Sequence, residues 1–336
     1  MHIFVTGGTG FFGKALLRYW STGSIPQLTG ARFTLLSRAP EQFARRHAEL
    51  LDGLAVDFHH GDMQQPDTLP VAGAFTHVLH AAADTINGPR LSPLEHFDQI
   101  TAGTRNILEM SRRLGVRRLL LASSGGVYGS PTQFPDGIPE TWHGMPDPLL
   151  PQNAYGVAKR QAEHLCALYG QACGLETVIA RCFAFVGEDL PLDAHFAIGN
   201  FIRDALAGKA ITIQGDGTPI RSYLDQRDLA RWLTVLLLRG RTARAYNVGS
   251  DRPVSIDELA HVVARHAATR PPDVHVMNQA ASQQTGHRNY YLPDISRVRS
   301  ELGLDLKFSL DMAIRHTLAR HRVLRGEKLA PNGELG

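Results

Sequence analysis

Short apolar runs alternate with segments of helical period through the first half of the chain, the pattern of successive βαβ units. Ile3 to Thr6 predicts a buried strand. Phe12, Ala15, Leu16 and Tyr19 then recur at helical spacing until Gly23 stops that helix. Phe33 to Ser37 predicts a second strand, and Val56, Phe58 and the run Thr76 to Ala82 supply two more. Gly103 to Leu114 has helical character, and Arg118 to Ser124 is a further strand with Leu119, Leu120 and Leu121 in succession. Such continuous apolar runs fit a parallel sheet covered on both faces. Gly125 to Gln152 is rich in Pro, Gly and Asp, which predicts a long loop, and long loops in compact enzymes often carry function. A helix is expected from about Ala154 to Cys173, with Ala158, Ala162, Leu165 and Tyr169 as its apolar stripe and Gly174 at its end. Glu176 to Arg181 is the next strand.

After Arg181 the alternation breaks into short mixed elements, and Ala245 to Val248 is expected to return to the main sheet. The fold class is therefore α/β: a doubly wound parallel sheet with helices on both faces, plus a smaller mixed α/β C-terminal lobe. Residues 1–181, with about 226–250, form the first domain; 182–225 and 251–322 form the smaller lobe; 323–336 form a polar tail.

Composition narrows the class of function. The formal charge is +3 and the basic residues are scattered, so nothing forms the dense patch that nucleic acid requires. Cys166, Cys173 and Cys182 have neither metal-type nor paired spacing and are expected to be reduced thiols. Sixteen histidines occur without a ligand spacing such as HExxH, so no metal site is expected. MHIFVTGG runs straight into a strand, and no apolar stretch reaches the roughly 18 residues of a membrane helix. A cytoplasmic, membrane-free protein is expected.

VTGGTGFFG lies between the first strand and the first helix, and Gly7, Gly10 and Gly13 follow the spacing GxxGxxG. A tight turn needs glycine, and so does close approach of the backbone to a pyrophosphate. The helix N-terminus then offers free N–H groups to the phosphates. This context makes the sheet a Rossmann dinucleotide-binding domain. The second strand ends in Leu36-Ser37-Arg38, where an acidic residue would bind the adenosine ribose hydroxyls. Ser37 and Arg38 instead suit a 2′-phosphate, which predicts NADP(H); with Arg38 as a solvated loop residue, NAD(H) is the alternative. Asp62, in HHGDM, is placed to accept from the adenine amino group.

YGVAK sets Tyr155 and Lys159 four residues apart near a helix start, so both share one face about 5 to 6 Å apart. A phenol titrates near 10, too high for acid–base work at neutral pH, and an adjacent ammonium is expected to lower it. The strand ending in Ser123-Ser124 offers a hydroxyl for the reacting oxygen.

TGGTGFFG, HHGDM, HAAA at His80 to Ala83, GTRNIL, LASSGGVYG, YGVAK, RCFAFVG, GDGTPIRSYL and YNVGSDRPVSI together resemble the extended short-chain dehydrogenase/reductases. In particular the chain resembles the NAD-dependent epimerase/dehydratase family acting on nucleotide sugars, from about Met1 to Thr317. The resemblance implies Ser124 as the catalytic hydroxyl, Tyr155 as acid/base, and Lys159 as the group that tunes it and holds the nicotinamide ribose. It also implies a cofactor cradle of Gly7, Gly10, Phe11, Phe12, Gly13, Ser37, Arg38, Asp62, Met63, Ala81, Ala82 and Ala83. A substrate pocket of Thr85, Ser124, Gly125, Phe183, Ala184, His195, Arg221 and Arg288 follows, with Arg221 as the diphosphate clamp. Asp228 is expected to be structural, joining the two lobes. The family's dehydratases carry an Asp-Glu pair where Gly125 and Gly126 stand, which disfavours dehydration. Asn is common in the family at the positions of Ile100 and Ala184, so the substrate pocket is expected to be atypical. A homodimer through paired helices is implied as well.

The expected chemistry is NADPH-dependent reduction of the C4 ketone of a nucleotide-linked 4-keto-6-deoxy sugar. The alternatives are C4 epimerisation with tightly bound NAD+ and a non-catalytic nucleotide-sensing protein.

Overall fold

The computed structural model describes residues 1–83, 91–129, 131, 133–194, 196–267, 271–277 and 289–326. In chain order the elements are β1 (His2–Thr6), α1 (Phe11–Ser21), β2 (Arg32–Ser37), α2 (Pro40–Arg46), β3 (Ala55–His60), β4 (His77–His80) and α3 (Pro93–Arg113). Then come β5 (Arg118–Ser124), α4 (Ala154–Cys173), β6 (Glu176–Cys182), β7 (Phe185–Val186), α5 (Ala197–Leu206), β8 (Ile211–Ile213), β9 (Ile220–Arg221) and β10 (Leu224–Asp225). The chain continues through α6 (Gln226–Arg239), β11 (Arg244–Val248), β12 (Val254–Ser255), α7 (Ile256–Ala267), β13 (Val274–Val276), β14 (Tyr290–Tyr291), α8 (Ser296–Leu302) and α9 (Leu310–Leu324).

The main sheet has seven strands in the order β11-β6-β5-β4-β1-β2-β3, and every pairing is parallel. The order reverses between β1 and β4, so the C-terminal ends of those strands open a crevice there. Apolar side chains leave the sheet on both faces. One core joins α1 and α6 to the sheet through Leu16, Trp20, Leu229, Trp232 and Leu236. The other packs α3 and α4 over Phe4, Val78, Leu119 and Leu121 through Ile107, Leu108, Ala158 and Ala162. Consecutive strand residues enter opposite cores, which is why β4 and β5 read as continuous apolar runs.

A third core holds the smaller lobe together, with Ile198, Phe201 and Ile202 of α5 against Ile211, Val263, Ile314 and Leu318. Phe11 packs against both this core and the first, so the opening turn of α1 touches both lobes. Ile295, Val298, Leu302 and Leu304 belong to the sheet's core, although the sequence reading assigned 251–322 to the small lobe. The buried Asp228 carboxylate accepts from Arg231 and from the backbone N–H groups of Lys307 (2.8 Å) and Phe308 (3.1 Å), tying α6 to the loop before α9.

Two boundaries differ from expectation. α3 begins at Pro93, well before Gly103, because Ser92 and Glu95 form a capping box that starts the helix inside a polar stretch. β4 stops at His80, where Ala81 and Ala82 turn to donate to the backbone oxygen and the hydroxyl of Thr6. All three cysteines are free. Among the described residues, no helix is long and apolar enough to cross a membrane.

A buried polar network fixes α4 against the sheet. The Arg181 guanidinium donates to both oxygens of Glu163 at 3.0 and 2.8 Å, and also to the Tyr128 hydroxyl at 3.0 Å. Tyr128 in turn donates to Asn247, whose amide reaches the carbonyls of Ile138 and Asp294. Ser123 donates to Glu163 at 2.6 Å. Breaking such a pair strands a buried charge. Glu163→Gln is expected to lower unfolding free energy by about 3 to 5 kcal/mol in denaturant titrations. Asp57→Asn, which removes the exposed pair with Arg32, is expected to cost at most about 1 kcal/mol.

Candidate active site

The glycine turn sits between β1 and α1 and tests whether a dinucleotide fits. Gly7 has φ +73°, and a Cβ there would lie 2.7 Å from the Ala81 carbonyl carbon. A Cβ on Gly13 would lie 2.1 Å from the Gly8 backbone. Those two glycines are demanded by the protein itself. Gly10 is different: it caps α1, is exposed, and a Cβ there would meet only the Gly7 carbonyl oxygen at 3.5 Å. Among the described residues nothing requires glycine at that place, whereas a phosphate pressed onto the free N–H groups of the first turn would. The cradle therefore fits a dinucleotide's pyrophosphate.

Phe11 and Phe12 lie half-buried in that first turn, with Phe12 edge-on to Phe185 at 5.3 Å. Ala81, Ala82 and Ala83 follow β4 as a half-buried lip opposite the turn. His80, behind them, is buried between the hydroxyls of Thr6 (2.7 Å) and Thr104 (3.2 Å). Desolvation and the nearby Lys159 charge push its pKa down to about 3, so it is a neutral bridge between β1, β4 and α3. At the end of β2 the Ser37 hydroxyl accepts from the Ala39 N–H at 3.1 Å, and Arg38 is exposed, 3.9 Å from Asp62. The Met63 side chain is buried in the core under α3, where it lies against Gly103, so its side chain is committed to packing.

The catalytic candidates come from β5 and α4. Ser124 ends β5, and its hydroxyl accepts from the Gly126 N–H at 3.0 Å. α4 packs on that strand with Lys159 buried, its ammonium donating to the Ala122 carbonyl at 2.8 Å. Tyr155, one turn earlier, faces Ser124, and its ring lies 5.3 Å from that of His96 on α3. The spacing reading thus places Ser124, Tyr155 and Lys159 in one pocket.

The electrostatics differ from the sequence expectation. Burial dominates and pushes the Tyr155 phenol up to about 12, against a lowering by Ser124. Burial also pulls the Lys159 ammonium down to about 8. Lys159 gives one of its three donors to Ala122, and desolvation dominates the shift at Tyr155. At neutral pH the phenol accordingly keeps its proton.

Of the expected substrate residues, Gly125, Phe183 and Arg221 gather around one ring, that of Tyr291. Phe183 is buried beside Val127, Tyr128 and Ile138. Ala184 gives its carbonyl to Leu224 at 3.0 Å. Arg221 donates to the carbonyls of Ile220 (2.8 Å) and Asn289 (3.0 Å). Burial lowers its pKa, and among the described residues no carboxylate pairs with it. Such a guanidinium fits an anion. Ile100 is buried in the core beneath α3. Thr85, His195 and Arg288 lie outside the described residues.

One residue that sequence reasoning missed stands in the same pocket. The Tyr291 ring lies 4.7 Å from Phe183, and a Cβ on Gly125 would come within 2.7 Å of its hydroxyl. The only signal was the two-residue strand YY before LPD, too short to carry a period.

Comparison with known proteins gives the chain a family and its fold a set of relatives. A family model described as "NAD dependent epimerase/dehydratase family" matches residues 3–249. UDP-glucuronic acid decarboxylase 2 of Arabidopsis thaliana is 28% identical over 312 residues, covering 92% of this chain and 66%, about two thirds, of that protein. The dTDP-glucose 4,6-dehydratase of Streptomyces niveus is 25% identical over 331 residues, covering 96% of this chain and 93% of the other. The structure of DesIV, a dTDP-glucose 4,6-dehydratase from Streptomyces venezuelae with NAD and TYD bound, is similar with a TM-score of 0.81. At 23% identity over 97% of this chain and 98% of that one, the likeness is one of fold.

The glycines give a test of the cradle. Gly13→Ala is expected to destabilise the fold by about 3 kcal/mol, because backbone must move. Gly10→Ala is expected to melt like the parent protein yet bind dinucleotide at least about tenfold more weakly, since its Cβ meets only ligand. Thermal melts paired with calorimetric cofactor titrations check both.

Proposed function

The chain belongs to the NAD dependent epimerase/dehydratase family and is an enzyme, and on that premise we propose that it reduces the C4 ketone of a nucleotide-linked 4-keto-6-deoxy sugar with NADPH. The observation that carries the reading is the end of β2, where Ser37 and an exposed Arg38 occupy the place of a ribose-binding acid. A guanidinium offers a 2′-phosphate a fork of donors, and NADPH pools favour reduction. The bound coenzyme supplies a hydride to C4.

This chain's own residues do the rest. Tyr155 donates its proton to the oxygen that becomes the alcohol, and its raised pKa keeps that proton in place until charge develops. Ser124 hydrogen-bonds the ketone oxygen and polarises it. Lys159 holds the nicotinamide ribose and lends positive charge to a pocket that excludes water. Arg221 clamps the diphosphate, which explains a half-buried guanidinium without a carboxylate partner among the described residues. Gly125 and Gly126 leave no acid–base pair for expelling water across C5 and C6. The outward sides of α3 and α4 are the expected homodimer face.

Two variants test the assignment. Tyr155→Phe is expected to lower kcat by roughly 10²- to 10⁴-fold while cofactor affinity stays within about twofold; full turnover would refute the acid role. Arg38→Ala is expected to weaken NADPH binding by about 10- to 100-fold and leave NADH binding unchanged. Tighter binding of NADH than NADPH by the parent enzyme would overturn the cofactor assignment. Release of carbon dioxide from a nucleotide-linked uronic acid would replace the reading with the activity in the plant relative's name.

A further inference from the structure

We propose that Tyr291 is a positioning residue that orients the Ser124 hydroxyl toward Tyr155, so that the centre is a relay of three hydroxyls. The inference rests on the site reading above and goes beyond it by adding a residue from the far end of the chain.

Tyr291 is held rigidly. β14 runs parallel to β9 with Tyr291 in register with Arg221. The following residues are pinned to the long loop: the Ile138 N–H donates to the Leu292 carbonyl at 2.8 Å, and the Asp294 N–H donates to the Ile138 carbonyl at 3.1 Å. Asn247 donates to the Asp294 carbonyl at 2.9 Å. Phe183 packs the ring at 4.7 Å, and the Arg221 guanidinium lies 5.9 Å from its centroid. The hydroxyl is thereby delivered to the space above Gly125.

A Cβ on Gly126 would lie 3.3 Å from the Ser124 hydroxyl and 3.6 Å from the Tyr155 ring, and one on the adjacent Gly125 would lie 2.7 Å from the Tyr291 hydroxyl. The three side chains thus crowd the same two glycines, and Ser124 lowers the pKa of each phenol. A serine hydroxyl has one proton and room for two donors. The Gly126 N–H fills one acceptor position. In the pocket without a sugar, a Tyr291 O–H donated into the second leaves the serine proton the Tyr155 oxygen as its destination; when a ketone enters, the same proton turns to the ketone oxygen. Burial raises both phenols, so each keeps its proton at neutral pH and Tyr291 has an O–H to donate. The other charged or titratable groups facing the pair are His96 from α3, Lys159 from α4, Cys182 from β6 and Arg221 from β9. Glycine at 125 is required, because a Cβ there would come within 2.7 Å of the Tyr291 hydroxyl and 2.9 Å of the Phe183 ring that packs against it.

The test titrates Tyr155 in the full-length protein with saturating NADP+, and again with NAD+, by phenolate absorbance. Tyr155→Phe is the subtracted reference that isolates the Tyr155 step. Tyr291→Phe keeps the ring and its packing and is expected to move the Tyr155 midpoint up by about 0.5 to 1 pH unit, a three- to tenfold change. Gly125→Ala leaves Tyr291 intact and is expected to give a shift of the same sign. Added to Tyr291→Phe it is expected to give no further shift. A Tyr155-dependent step that neither variant moves upward overturns the role of Tyr291 and leaves the site reading standing. Full turnover by Tyr155→Phe overturns both.

Discussion

An ammonium carried into the interior governs this structure. Lys159 is buried, forms no ion pair with a carboxylate among the described residues, and rests on the Ala122 carbonyl. That carbonyl lies near the C-terminal end of β5, a strand buried along its whole length, so the hydrogen bond helps to seat α4 on the sheet. Tyr155 lies one turn back on the same face and is therefore delivered to Ser124. The bidentate pair of Arg181 with Glu163, one turn further on, locks the same helix from its other side. Burial costs the ammonium part of its affinity for its proton, which is why its pKa falls to about 8.

The same dryness sets the chemistry. A phenol raised to about 12 is a poor base at neutral pH and a group that holds its proton until an oxyanion forms beside it. Charge that grows on a ketone oxygen in such a pocket is stabilised more strongly than in water. Two cations, Lys159 and Arg221, stand in or beside the pocket with no carboxylate bonded to either among the described residues. Both suit a polyanionic ligand pair, one dinucleotide and one sugar nucleotide.

Much of this was legible in the sequence because the decisive features are local. The glycine turn declares itself by its place between a strand and a helix. The period of Ala158, Ala162 and Leu165 fixes the phase of α4, and that phase brings Tyr155 and Lys159 together. What the sequence hid depends on contacts between distant segments. The start of α3 rests on a capping box inside a polar stretch. The placement of α8 under the sheet, and of Tyr291 over Gly125, follows from short strands and bridges with no period of their own. The direction of the Tyr155 pKa was also hidden, since spacing reveals a neighbouring charge but not the desolvation that outweighs it.

On the proposed function, Tyr155 and Ser124 serve a hydride delivered to a sugar ketone and kept in the product. The most direct measurement supplies NADPH carrying deuterium at the transferred position, with a nucleotide-linked 4-keto-6-deoxy sugar, and weighs the product. The account predicts one deuterium per product molecule, located at C4, with one NADPH consumed for each. A product free of deuterium, formed without NADPH by protein that retains NAD+, would contradict it.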